Sequence, residues 1–197
     1  MASRGLLTTV QLVEQSDASS ELRNAVLAER RAESLELNDP LHGKIVVRDQ
    51  APLRLQFLEG CLTDMSVPDW LATLNGRVFF WLREEKLLQL LNARLYRRSA
   101  HDVLTVDTAS LLRAHSARVR LSGINSGATL YPNASPRGAG TFQTVGDYNY
   151  EAAKKRRGWR DAVVELAVVD GVVDIMDHVI KVERRQANDV VSVLFER

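Results

Sequence analysis

The apolar run at 162–169 of this chain contains a single carboxylate, that of Glu165. Four to eight apolar residues bounded by charged or turn-forming residues are typical of a buried strand. Because side chains alternate between the faces of a strand, Glu165 shares a face with Val163 and Ala167. A buried carboxylate without a partner is costly. Either this face opens onto a cleft, or a positive side chain lies opposite Glu165, or Glu165 occupies the solvated end of an edge strand.

The spacing of apolar residues and the positions of turn residues predict the other elements. Helical spacing and capping residues predict helices at 20–34, 66–75, 84–96 and 108–115. Runs rich in β-branched and aromatic residues predict strands at 45–47, 77–82, 101–106, 119–121, 179–182 and 190–195. These strands and helices are interspersed without a regular βαβ rhythm, so we predict an α+β fold. The length of 197 residues suits a single domain that spans 1–197.

The stretch at 122–150 is rich in Gly, Ser, Asn and Pro and shows little periodicity. Loops of this length inside a compact domain are usually functional or disordered. Its segment at 125–129 carries Asn125, Ser126 and Thr129, whose polar groups suit a ribose or a phosphate.

The composition excludes several classes of protein. Apolar residues make up 45% and charged residues 26% of the chain, and the formal net charge is +1, so the overall charge favours neither nucleic acid nor membrane. The single cysteine, Cys61, excludes an internal disulfide and a cysteine-based zinc site. No apolar stretch approaches the roughly 18 residues of a membrane span, and the N-terminus lacks a signal-peptide core. We therefore expect a cytoplasmic protein without a membrane partner. The four histidines are far apart and show no helical ligand spacing, so we expect no metal site.

The aromatic strand at 77–82 runs directly into Arg83. Such a strand usually belongs to the core, and an arginine at its end is usually a capping residue at the protein surface. Alternatively, Arg83 pairs with phosphates in a bidentate geometry while one of the aromatic rings beside it stacks on a flat heterocycle. Arg83, the aromatic side chains and Glu165 together favour a nucleotide site with a carboxylate that stabilises positive charge.

The only basic cluster of the sequence follows the long loop. It comprises Lys154, Lys155, Arg156 and Arg157, with Trp159 close behind. Such a run is usually a solvated turn. The alternative is a nucleic-acid-binding patch, in which the cations contact phosphates and Trp159 stacks on a base.

Three segments resemble the NAD-dependent ADP-ribosyltransferases, especially the DarT-type enzymes that modify DNA, and a bacterial family related to them. The Gly-Leu-Leu-Thr-Thr at 5–9 resembles the segment that closes the first helix of those proteins. The segment at 77–83 resembles their aromatic strand, which ends in an NAD-contacting arginine. The segment at 162–182 resembles their catalytic-glutamate strand, the turn after it and the following strand, with Glu165 at the glutamate position.

The resemblance implies an ADP-ribosyltransferase-like split sheet, mixed or antiparallel, with flanking helices. Two departures stand out. The family's first strand, which carries a ribose-binding residue, precedes the point at which this chain begins, so we expect that the coding start lies upstream or that part of the NAD site has been lost. Val173 replaces the expected proline of the catalytic turn. The segment at about 12–52 has no counterpart and is predicted to be a helical insertion.

The resemblance also implies a function, which is transfer of ADP-ribose from NAD to an acceptor such as a nucleic-acid base. Glu165 and Arg83 would be the catalytic residues, and NAD would be a substrate, with no metal required. Phe80, Trp81, Asn125, Ser126 and Thr129 would contact NAD. A protein or small-molecule acceptor stays open. Two alternatives share the fold: a catalytically impaired module that binds a nucleotide or nucleic acid, and an RNA 2′-phosphotransferase, which a site centred on Glu165 argues against. The sequence does not predict the oligomeric state.

Overall fold

The computed structural model describes residues 5–197, and within them it contains eight α-helices and eight strands in three antiparallel sheets. The predicted α+β class is confirmed. The helices are α1 (Thr9–Gln15), α2 (Ser20–Ala28), α3 (Leu55–Glu59), α4 (Val67–Asn75), α5 (Glu84–Leu91), α6 (Thr108–His115), α7 (Tyr150–Arg157) and α8 (Ile175–His178). The strands are β1 (Leu35–Asp39), β2 (Gly43–Val47), β3 (Arg77–Trp81), β4 (Ala100–Val106), β5 (Val119–Ser122), β6 (Glu165–Val169), β7 (Val179–Gln186) and β8 (Asp189–Glu196).

Besides the β1-β2 hairpin there are two three-stranded sheets, in the orders β3-β6-β5 and β4-β7-β8. The strands β3 and β4 are therefore edge strands of different sheets. Both line a cavity of about 650 Å³, which we call the inter-sheet cleft. This separation into two antiparallel sheets agrees with the predicted split sheet. That the split is of the ADP-ribosyltransferase kind stays a prediction.

The strand β6 is buried on both faces, and this explains its almost uninterrupted apolar sequence. Leu166 and Val168 pack into the cluster that includes Ile175 of α8. Ala167 faces the other way, into a cluster around Trp70 of α4. Full burial of one such aliphatic side chain contributes about 1.5–3 kcal/mol, and a slip of one residue would exchange the two faces. The register of β6, and with it the position of Glu165, is therefore strongly fixed.

The N-terminal elements α1, α2, β1 and β2 share a cluster of their own. Val13, Val26, Leu37 and Val47 are each at most 7% exposed in it. The segment predicted as a helical insertion thus contains a β-hairpin as well as helices. That it is an insertion stays a prediction.

Two of the predicted helices end earlier in the structure for identifiable local reasons. The helix predicted at 20–34 ends at Ala28, because Glu29 adopts an extended conformation (φ −113°, ψ 152°) that leads into β1. The helix predicted at 84–96 ends at Leu91, where the side-chain amide of Asn92 donates to the carbonyl of Leu88 at 2.7 Å. The basic run at 154–157, for which the sequence left a solvated turn and a nucleic-acid-binding patch open, is the last turn of α7, whose start is capped by Asn149; that it binds nucleic acid stays a prediction.

Among residues 5–197, no helix combines the length and the apolar character that crossing a membrane requires.

Candidate functional site

Glu165 is the first residue of β6 and lies in the middle of its sheet. Its backbone is paired with Trp81 of β3 on one side and with Ser122 of β5 on the other. The residue is 5% exposed. The interpretation of Glu165 as the solvated end of an edge strand is therefore wrong, because the strand has neighbours on both sides.

The carboxylate of Glu165 holds the long loop against the sheet. Its Oε2 accepts a hydrogen bond from the backbone N–H of Ser126 at 3.1 Å. Burial raises the pKa of Glu165, while the hydrogen bonds from Ser126 and the positive charge of Arg137 act in the opposite direction. A carboxyl whose pKa lies above its ordinary value is suited to proton exchange closer to neutral pH.

Arg137 supplies the positive charge that the sequence predicted near Glu165. It is 3% exposed, and its guanidinium braces the same loop. The Nη1 donates to the carbonyls of Ser126 at 2.9 Å and Ala128 at 3.1 Å, and the Nε donates to Ser135 at 3.2 Å. A buried charge of this kind is stable only with such partners. Glu165 and Arg137 thus hold the N–H and the carbonyl of Ser126, respectively.

Arg83 follows β3 in an extended conformation, φ −140° and ψ 136°. Its Nη1 lies 3.6 Å from the Oδ1 of Asp161, and the Nζ of Lys86 lies 3.7 Å from the same oxygen. A weaker contact of 3.8 Å joins the Nε of Arg83 to Glu85. Arg83 and Lys86 therefore both contact the carboxylate of Asp161, and Glu85 is a second, more distant anion beside Arg83.

A second cavity, of about 580 Å³, lies over the long loop, and we call it the loop pocket. Its polar lining combines three cations with amide, hydroxyl and carboxylate groups, and Asn125 and Tyr131 are exposed. The lining includes Lys86, Asn125, Tyr131, Arg137, Arg157 and Asp161. The volume is within the range of about 300–1,000 Å³ that is usual for ligand sites. Because Arg83 contacts Asp161 and also lines the inter-sheet cleft, it lies between the two cavities.

The structure separates the two aromatic candidates of β3. Trp81 is opposite Glu165 in the register and so shares its face, whereas Phe80 is opposite Leu166 and lies on the other face. Both residues line the inter-sheet cleft, and Glu165 lines neither cavity. The predicted nucleotide site is therefore only partly assembled. Trp81 and Arg83 alternate onto the face that Glu165 occupies, whereas Phe80 packs against the core.

The three polar loop candidates have different positions. Asn125 is exposed in the loop pocket. Ser126 is buried beneath it, against Glu165. Thr129 is fully buried, and its hydroxyl donates to the carbonyl of Arg54 at 3.1 Å and accepts from the N–H of Arg54 at 2.9 Å. Thr129 therefore has a structural role in joining the loop to the segment before α3.

The basic cluster is largely presented to solvent. Lys154, Lys155 and Arg156 are exposed on α7, and Trp159 is 67% exposed just beyond it. We call these four residues the basic surface. Arg157 differs, because its guanidinium donates to the carbonyl of Gly123 and to the hydroxyl of Tyr148. The run thus offers three exposed cations and a planar ring, while its fourth cation anchors the loop.

The sequence spacing predicted no histidine pair, yet the fold brings two histidines together. His115 at the end of α6 and His178 at the end of α8 have ring centroids 5.4 Å apart, and both approach the carboxylate of Asp174. Sequence reasoning missed this group because His115 and His178 belong to elements that meet only through tertiary packing.

Residues 1–179 match the family model DUF7002, which is described as a family of unknown function. The chain belongs to DUF7002. The matched region contains β6, the long loop and the His115–His178 pair, and it ends at the first residue of β7. No curated protein and no solved structure matches this DUF7002 chain.

Proposed function

We propose that this DUF7002 protein binds NAD and transfers its ADP-ribose to an acceptor, with Glu165 as the catalytic carboxylate. One observation carries the proposal. The buried carboxylate of Glu165, whose pKa is raised by burial, lies at the start of β6. The residue paired with it on β3 is Trp81, and Arg83 follows that strand. A carboxylate, an aromatic ring and a cation in this order suit a ligand with a positive ring next to a pyrophosphate.

In the proposed complex, the pyrophosphate takes the place of Asp161 as the partner of Arg83 and Lys86. The nicotinamide lies against Trp81, because Phe80 is on the opposite face. The ribose then lies above Asn125 and Ser126, next to Glu165. Glu165 reaches the ribose when the loop shifts and the Ser126 N–H contact opens. A single intramolecular hydrogen bond contributes only about 0.5–1.5 kcal/mol net, so this opening is readily offset by ligand contacts.

The reaction breaks the bond between the ribose C1′ and the nicotinamide nitrogen, and the electron pair of that bond leaves with nicotinamide. The ribose acquires oxocarbenium character, which the negative charge of Glu165 stabilises. A nucleophilic atom of the acceptor then bonds to C1′, and its proton passes to Glu165 or to water. Removal of one preorganised group of this kind typically lowers the rate by about 100–1,000-fold.

A nucleic-acid base is the proposed acceptor. The basic surface supports this choice, because three exposed cations and an exposed indole are the elements that bind single-stranded nucleic acid without requiring a sequence. The surface is also close to the loop pocket, since α7 provides Arg157 to its lining. A cytoplasmic location, where both NAD and nucleic acid are available, belongs to the same proposal.

The second candidate is a nucleotide-binding module without catalysis. It is favoured by the burial of Glu165, whose Oε2 already accepts a hydrogen bond from the N–H of Ser126. In that case Arg83 and the loop pocket bind the nucleotide, and Glu165 only holds the loop.

Transfer of labelled ADP-ribose from NAD to DNA, RNA and cell lysate distinguishes the two candidates. We expect the wild type to label an acceptor, Glu165→Gln to lose labelling, and both proteins to bind NAD with similar affinity. Glu85→Gln, at an exposed carboxylate close to Arg83, is the control that should retain transfer. Retained transfer in Glu165→Gln would refute the catalytic role, and NAD binding without transfer by the wild type would support the binding module.

A further inference from the structure

Three polar side chains meet between α6 and α8, and none of them lines the inter-sheet cleft or the loop pocket. They belong to His115, which is 8% exposed, His178, which is 5% exposed, and Asp174, which precedes α8. One ligand atom from each residue lies within 4.8 Å of the other two. We call this group the His–Asp–His cluster.

The cluster contains polar atoms without hydrogen bonds. The Nε2 of His115 and the Oδ1 of Asp174 are 2.9 Å apart, and the Nε2 of His178 is 3.5 Å from the Oδ2. Both pairs are within ion-pair distance, but neither Nε2 atom nor the Oδ1 forms an aligned hydrogen bond with any of the residues 5–197. The atoms are close but not aligned. Buried polar atoms rarely stay unsatisfied, and such a group calls for a further partner.

We propose that the His–Asp–His cluster binds a divalent first-row transition metal, with Zn²⁺ as the best fit. Two imidazole nitrogens and one carboxylate are a usual three-ligand set for Zn²⁺, with a water in the fourth position. Bonds of about 2.0–2.2 Å in a tetrahedron place neighbouring ligand atoms roughly 3.3–3.5 Å apart. The 2.9 and 3.5 Å separations, which involve the two different oxygens of Asp174, lie near that spacing, and one ligand atom from each residue lies within 4.8 Å of the others, so side-chain shifts are needed to close the ligands around the ion.

The far side of His178 is already arranged as a metal ligand requires. Its Nδ1 is 2.8 Å from the hydroxyl oxygen of Ser110. A metal-bound histidine carries its proton on the other ring nitrogen and donates it to an oxygen, which fixes the ring. Ser110 supplies that oxygen from α6. Asp174, with its side chain 36% exposed, leaves a path by which the ion enters and a place for the bound water.

Arg118 opposes binding and thereby provides a sharp test. Its Nη2 is 2.6 Å from the Nδ1 of His115, and a guanidinium can only donate, so this contact requires an unprotonated Nδ1. Ligation through Nε2 moves the proton of His115 to Nδ1, and the Nη2 must then withdraw. The Nη1 keeps its contacts with the carbonyls of Val169 at 3.0 Å and Gly171 at 2.8 Å. Arg118→Gln offers an acceptor oxygen in place of the donor and should strengthen metal binding.

The bound ion joins the end of α6 to the turn between β6 and α8. It therefore stabilises the folded chain by mass action in proportion to its affinity. This role does not depend on the proposed transferase activity.

The test is a calorimetric titration of the chelator-treated full chain with Zn²⁺, with visible absorption of the Co²⁺ form as a second readout. We expect one ion per chain in the wild type, and affinity about 10–100-fold weaker in Asp174→Asn and Ser110→Ala. His42→Gln is the matched control, because the Nδ1 of His42 also lies 3.1 Å from a carboxylate, that of Asp39, outside the cluster. Circular dichroism confirms that each variant is folded.

Absence of stoichiometric Zn²⁺ binding by the wild type would overturn the proposal. So would equal weakening in Asp174→Asn and His42→Gln, because the ion would then bind elsewhere. Tighter binding in Arg118→Gln, with a Co²⁺ spectrum of tetrahedral character, would support this assignment of the ligands.

Discussion

Replacement of Arg137 by methionine should lower the free energy of unfolding by more than a comparable substitution at the surface. The guanidinium is 3% exposed and donates to the carbonyls of Ser126, Ala128 and Ser135. Methionine keeps part of the apolar stem, so the main effect is the loss of hydrogen bonds and charge.

The magnitude follows from the groups left behind. Each buried acceptor without a partner costs about 1–3 kcal/mol, and the carbonyls of Ser126 and Ala128 both lose Nη1. The carboxylate of Glu165 also loses a nearby positive charge, which is the smallest of the influences on its pKa. Because these effects share one side chain, we expect a total loss of about 3–5 kcal/mol in the free energy of unfolding, mainly from the carbonyls left without a donor.

Urea denaturation at pH 7 measures this loss. With a slope of about 2 kcal/mol per molar urea, the midpoint should fall by roughly 1.5–2.5 M. Arg113→Met, at an exposed position of α6, is the control and should change stability by at most about 0.5 kcal/mol. In the double variant Arg137→Met/Glu165→Gln, the loss should be smaller than the sum of the two single losses, with a coupling of about 0.5–3 kcal/mol. A midpoint within about 0.3 M of the wild type, or strict additivity, would refute the role given to Arg137.

Three further predictions concern Glu165, Thr129 and Arg83. Because burial raises the pKa of Glu165, its contribution to stability is fully present below the ordinary pKa of 4.5 and is lost as pH rises through the raised value. The stability of the wild type relative to Glu165→Gln should therefore fall as pH rises above 4.5, by about 1.4 kcal/mol for every pH unit that separates the folded pKa from the unfolded one. A constant difference in pH-dependent urea melts would contradict this. Thr129→Val removes both hydrogen bonds to Arg54 and should lower the free energy of unfolding by about 1–3 kcal/mol. At a temperature where the variant is folded, its dissociation constant for NAD should equal that of the wild type. Weaker NAD binding would mean that Thr129 contacts the ligand. Arg83→Ala should weaken NAD binding roughly 10–100-fold, as expected for loss of a charge-assisted contact. The control Arg113→Ala should leave the affinity for NAD unchanged. Equal affinities of the two variants in calorimetry would remove Arg83 from the site.

The parts of the fold that the sequence predicted are those where local pattern and tertiary packing agree. The strand β6 is such a case, since its apolar run is buried on both faces. The need for a partner of Glu165 was equally predictable, because a carboxylate in a buried strand requires one. In contrast, the helix predicted at 20–34 ends at Ala28, where the chain turns into the extended conformation of Glu29, and β1 then joins the cluster that contains Val26; packing of that kind has no local signal.

The identity of the partners of Glu165 was not predictable from the sequence. Arg137 lies in an irregular loop, where no periodicity relates it to β6. Ser126 was singled out as a ligand for ribose or phosphate, but its backbone N–H is what contacts Glu165. The His–Asp–His cluster was missed for a related reason: a search for ligands at helical spacing finds pairs within one element, whereas His115 and His178 come from two.

The most direct test of the proposed chemistry is the rate at which nicotinamide is released from NAD, measured for the wild type, Glu165→Gln and Glu165→Asp. That chemistry predicts release by the wild type, a loss of about 100–1,000-fold in Glu165→Gln, and an intermediate rate in Glu165→Asp, which keeps the charge but shortens the reach. Equal rates in the wild type and Glu165→Gln, with NAD bound by both, would show that Glu165 only holds the loop and would contradict the central claim.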